Sequence, residues 1–89
     1  MQRYRAKLKT RAQMERDIAA VDRGWWFDVC PGRTMTVRAA AQSDIDRCIL
    51  REGTTRDPAA YLCETTAQGS LVRRDAVERL TELEEVLEA

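Results

Sequence analysis

Polar and apolar side chains alternate without a fault over residues 3–9. Tyr4, Ala6 and Leu8 fall on one side, and Arg3, Arg5, Lys7 and Lys9 on the other. A period of two marks a half-buried strand, and the outer face of this one is wholly basic. Tyr4 and Leu8 are also four apart, so the segment could instead extend the helix that follows; the alternation is the better fit. The period then changes. Thr10 stands at an N-cap position, with Gln13 three residues on to complete a capping box. Met14, Ile18 and Val21, flanked by Ala12 and Ala19, form one helical stripe. The spacing predicts a helix over residues 11–22, closed by Gly24.

Residues 24–39 read as a β-hairpin about Pro31-Gly32, a strong turn signal. The run 25–30 holds three of the five aromatic residues. A three-residue loop pairs Val29 with Met35, Phe27 with Val37 and Trp25 with Ala39, which keeps each face uniform. That register buries Trp25 and Phe27. It sets Trp26 opposite Arg38 on the outer face, within reach of a cation–π contact.

Further on, Ser43 and Asp46 have the spacing of a second capping box, ahead of a short helix over residues 44–51. Ile45, Cys48 and Ile49 are its expected inner face and Gly53 its stop. Residues 54–58 are polar and form a loop. Residues 61–66 have strand composition, 67–69 a turn, and 70–73 a short returning strand. Asp75 and Glu78 suggest a third capping box. Ala76, Leu80, Leu83 and Leu87 follow at steps of four, three and four, predicting a C-terminal helix. The seam is too short for a coiled coil, so packing on the protein's own sheet is favoured over a weak homodimer. Glu82, Glu84, Glu85 and Glu88 crowd the end of that helix, where its dipole disfavours them.

The resulting expectation is one α+β domain spanning residues 1–89. Its order is strand, helix, strand, strand, helix, strand, the ferredoxin-like layout, with an additional C-terminal helix. In that layout the first strand lies beside the run 34–39. The open sheet face then carries Arg3, Arg5, Lys7, Lys9, Thr34, Thr36, Arg38, Trp26 and Asp28, unless the C-terminal helix folds over it.

Composition narrows the chemistry. The chain has 89 residues, no histidine and zero formal net charge. The charge is uneven: residues 1–16 carry six basic groups and one acid, residues 73–89 three basic groups and six acids. Thirteen arginines stand against two lysines, a bias that suits bidentate recognition. Without histidine, the usual base near neutral pH and the usual partner of a nucleophilic cysteine are both missing. No phosphate-binding glycine motif occurs, and an enzyme is not expected. Cys30, Cys48 and Cys63 are widely spaced without a CxxC pair. They read as free thiols rather than metal ligands, and no cofactor is expected. The charged N-terminus and the lack of a long apolar run point to the cytoplasm, with no membrane partner.

A binding protein remains. The favoured expectation is a small non-catalytic module, of the kind phages and mobile elements encode, that blocks a larger host protein complex by occlusion. Defence complexes and nucleic-acid machinery are the expected targets. Trp26, Arg38, Arg3, Arg5, Lys7 and Lys9 are its candidate binding residues, since tryptophan and arginine dominate interface hot spots. The alternative is a single-stranded nucleic-acid-binding module using the basic strand. Zero net charge and a single exposed aromatic count against it.

Overall fold

The alternating N-terminal run folds as a strand. β1 (Arg3–Leu8) buries Ala6 and Leu8 completely and leaves Arg3, Arg5 and Lys7 in solvent. The computed structural model describes residues 2–19, 31–50 and 54–83. α1 (Arg11–Asp17) opens on the expected capping box. The Thr10 hydroxyl accepts the Gln13 N–H, and the Gln13 side-chain oxygen accepts the Thr10 N–H at 2.8 Å. The helix stops at Asp17 instead of residue 22, because Ile18 turns extended and drops its side chain into the core beside Met14.

A turn at Pro31-Gly32, with Gly32 at φ +77°, leads into β2 (Thr34–Ala39). α2 (Gln42–Arg47), β3 (Tyr61–Glu64), β4 (Leu71–Arg73) and β5 (Val77–Glu82) follow. Single 3₁₀ turns, Pro58–Ala60 and Arg74–Ala76, precede β3 and β5. All neighbouring strands are antiparallel, in the order β4-β3-β2-β1-β5. The described residues thus form a small α+β domain built on one five-stranded antiparallel sheet with two helices.

The sheet cannot be flat. Five strands side by side would hold β4 and β5 about 19 Å apart. Only Arg74–Ala76 joins them, and the four Cα steps of that link reach at most about 14 Å. The sheet therefore rolls, bringing its two edges together at that end around Ala6, Leu8, Met35, Val37, Leu62, Val72 and Ala76. Met14 and Ile18 of α1 fill the same core. Tyr61 and Cys63 alternate with Leu62 along β3, so they point to the opposite face. There they are buried, as is Ile45 of α2. Among the described residues, α1 thus serves one face of the sheet and α2 the other.

Several expectations change. Residues 77–82 form a strand, not the N-terminal part of a helix. A helix would have needed Asp75 and Glu78 as caps. Asp75 instead holds Arg73 at 2.6 Å, while Glu78 takes the Gln13 amide at 3.1 Å and Lys7 at 3.7 Å. Backbone pairing with β1 overrides a weak local preference. Residues 84–89, the rest of that predicted helix, lie outside the described residues, as do residues 20–30. The ferredoxin-like order is not the one observed. Val37 already has Tyr4 on one side and Glu64 on the other, so the expected pairing of Phe27 with Val37 is not made. The second helix caps on Ala41 rather than Ser43, the Ala41 N–H donating to the Asp44 carboxylate at 2.8 Å. It ends at Arg47, and Ile49, expected inside, is fully exposed.

Candidate functional site

Cross-strand register decides which side chains share the outer face. Lys7 lies between Thr34 on β2 and Arg79 on β5. Arg5 lies between Thr36 and Thr81, and Arg3 lies beside Arg38. Successive rows are about 6.8 Å apart along β1. The result is a sheet surface of cations flanked by hydroxyls. Arg3 and Arg5 form no ion pair with any described residue, and Lys7 reaches Glu78 only at 3.7 Å. The Glu78 carboxyl is held below its ordinary range, first by the Gln13 amide and then by Lys7.

The β3 side of the same face is closed. Arg38 grips Asp44 of α2 through two parallel bonds of 2.7 and 2.8 Å. Arg47 adds a third to Asp44 at 3.2 Å and donates to the Gly69 carbonyl at 3.2 Å. Asp44 is 2% exposed. Its carboxyl lies well below the usual carboxylate range, held there first by Arg38 and then by the Ala41 N–H, against the opposing effect of burial. The Arg38 guanidinium is correspondingly raised, chiefly by Asp44. A bidentate charge-assisted pair of this kind fixes orientation as well as energy; here it clamps α2 over Cys63.

Gly69 explains how Arg47 reaches this cluster. The glycine has φ +61°, and a Cβ there would stand 2.5 Å from the Arg47 guanidinium. A side chain at position 69 would meet both a strained backbone and the arginine. Cys63 is fully buried beneath Arg47, and burial pushes its thiol upward from the ordinary value. A protonated thiol is a poor nucleophile. Cys48 is a free, half-buried thiol. Among the described residues, no group of three cysteine or acidic side chains is placed to hold a metal ion, and no helix is long and apolar enough to cross a membrane.

The structure therefore divides the sequence-derived set. Arg3, Arg5 and Lys7 stand together and open. Lys9 is half-buried and tied to Asp17 at 3.4 Å. Arg38 shares the face but is engaged by Asp44. Trp26 lies outside the described residues. The sheet neighbours of Arg38 are Arg3 and Cys63, so the expected cross-strand pair with Trp26 is not made. Arg79 and Thr81 join the face unforeseen. Their signal was the alternation Arg79, Leu80, Thr81, Glu82, hidden under a leucine spacing that also fits a helix. Comparison of the chain with protein-family models, with curated proteins and with solved structures gives no match, so its function is read from this surface.

Proposed function

We propose that the chain is a small non-catalytic protein-binding module that occludes a larger partner with the outer face of β5, β1 and β2. It is an inhibitor of the kind carried by phages and mobile elements, acting on a host defence or nucleic-acid-handling complex. One observation carries the reading: Arg3, Arg5 and Lys7 stand in a row on a strand paired on both sides, exposed, while the Arg38 position on β2 is sealed by α2. Exposed arginines on ordered backbone are ready anchors for an acidic surface. The buried Cys63 thiol and the absence of histidine support the non-catalytic part. Co-purification from the native host, followed by mass spectrometry, tests it. The partner should be recovered with the wild-type chain and lost with the folded double variant Arg5→Glu, Lys7→Glu. Equal recovery with both would remove this face as the site.

A second reading has its own support. Arg5 and Lys7 each have a threonine beside them on the neighbouring strands, and cations with hydroxyls are common phosphate contacts. Single-stranded nucleic acid would then lie along β1. Its binding would fall steeply with salt, with a slope near −0.7 per phosphate neutralised. Sub-micromolar binding of an oligothymidylate at physiological salt, lost in the same double variant, would replace the first reading with the second.

A further inference from the structure

β5 lies at the sheet edge, with β1 on one side and no described strand on the other. The Leu83 N–H donates to the Arg3 carbonyl at 3.0 Å. Backbone direction alternates along an antiparallel strand, so Thr81 and Arg79 also turn their hydrogen-bonding groups toward β1. Leu80 and Glu82 turn theirs away from the sheet, where no described residue pairs with them. Every side chain from Glu78 to Glu82 is exposed, and Leu80 is one of two large apolar side chains left in solvent among the described residues. Outward backbone groups on an uncovered edge are a template for another strand.

The charge pattern rejects a second copy. If Leu80 faced its own copy, Glu82 would come up against the irregular turn of the strand at Glu78, carboxylate toward carboxylate, at both ends. With Thr81 facing its copy, Leu80 would lie against Glu82. With Glu82 facing its copy, two carboxylates would meet. Like charges directly opposite destabilise a strand pair, so every two-fold register that uses the outward groups carries a mismatch. A different strand fits. Acidic residues opposite Arg79 and Thr81 would continue the rows of Lys7 and Arg5. An apolar residue opposite Leu80 would cover it on the side where Leu80 pairs with Ala6. A basic residue opposite Glu82 would complete the match.

We propose that the protein partner docks by adding an extended strand to the free edge of β5, with acidic residues facing the basic rows and an apolar residue against Leu80. This rests on the protein-binding reading above and supplies its docking mode. The test uses the full chain, isotope-labelled, and two peptides in the antiparallel register: Thr-Lys-Glu-Val-Glu-Lys-Thr and its charge-swapped counterpart Thr-Glu-Lys-Val-Lys-Glu-Thr. The first peptide should slow amide exchange at Leu80 and Glu82 and leave Arg79 and Thr81 unchanged, since these two are already bonded to β1. The swapped peptide should bind at least tenfold more weakly. Glu82→Pro removes an outward N–H without touching the β1 ladder, and edge strands tolerate proline. That variant should keep its urea midpoint and lose at least tenfold in affinity for the first peptide. No binding at millimolar peptide, equal binding of both peptides, or protection without the alternation would overturn strand addition. The two proposals fail separately. If the co-purified host partner is lost with Arg5→Glu, Lys7→Glu but kept by Glu82→Pro, the face stands and strand addition falls.

Discussion

The outer face of the sheet has two halves built from the same kinds of residue. On the β2–β3 half, Arg38 meets Asp44, Arg47 braces both, and α2 seals the cluster. On the β1–β5 half, Arg3 and Arg5 face solvent with no carboxylate from the described residues against them. Arginine is structural in the first half and available in the second. The difference lies in the covering helix rather than in the strand: alternation puts both sets on one face, and α2 withdraws only one of them from solvent. Charge alone is therefore a poor guide to a site on this protein. What distinguishes the proposed site is that Arg3 and Arg5 meet no carboxylate among the described residues and Lys7 meets only Glu78, at 3.7 Å.

The largest expected effect is on the closed half. Asp44→Ala strands Arg38 and frees α2, and should cost about 2–4 kcal/mol, since removing one partner of a buried ion pair leaves the other uncompensated. Urea unfolding of the variant checks this. A midpoint within error of wild type would mean that the clamp is incidental and that the halves do not differ as described.

The same pair sets a pH dependence. The Asp44 carboxyl is lowered in the folded protein. A lowered folded value contributes stability that is complete above the unfolded value, about 3.9. That contribution drains away as pH falls from there toward the folded value. Wild type should therefore lose stability below about pH 4 more steeply than Asp44→Asn, and the gap between them should narrow with acid. Parallel acid-unfolding curves would show that Asp44 is not held as the geometry implies.

The two turn glycines sharpen the comparison at smaller scale. Gly32 has φ +77° and open space around it. Its change to alanine should cost only the left-handed backbone penalty, about 1–2 kcal/mol. Gly69 carries the same penalty and also sits against Arg47. Gly69→Ala should cost about 1 kcal/mol more, as the arginine loses its hydrogen bonds. Equal thermal shifts for the two variants would show that Arg47 does not brace the closed half.

The legible parts of the sequence were those where one period had no rival. Arg3 to Leu8 and the Thr10–Gln13 cap follow from local rules, and the structure has them nearly as read. β2, β3 and β4 were placed to within a few residues. Residues 77–82 were misread because Leu80 and Leu83 satisfy a helical spacing while Arg79 and Thr81 satisfy a strand one. The choice is made by pairing with β1, distant in sequence, which no local pattern encodes. The Arg38–Asp44 clamp was hidden for the same reason. Asp44 is not on the inner face expected of the second helix, and only the placement of α2 on the sheet turns it inward. The cations of the proposed site are visible in the sequence. Which of them stay free is not.

The smallest expected effect bears most directly on the open half. Arg5→Ala should shift stability by less than about 0.5 kcal/mol, the usual range for an exposed side chain, since Arg5 has no ion-pair partner among the described residues. Lys7→Ala loses only its 3.7 Å contact with Glu78, and exposed pairs contribute about 0–1 kcal/mol. Arg3 should go further. It lies directly opposite Arg38, and like charges in that relation are destabilising by about 0.2–1 kcal/mol, less here because Asp44 already neutralises Arg38. Arg3→Ala should thus leave the fold as stable as wild type or slightly more so, with the gain fading at high salt as screening removes the repulsion. A side chain kept at a cost to stability is what a working surface looks like, because binding sites are selected for contact rather than for fold. Thermal melts of the three single variants at low and high salt decide it. A loss at Arg3 or Arg5 comparable to that of Asp44→Ala would make the open half a second structural cluster, and the two halves of the face would then be alike.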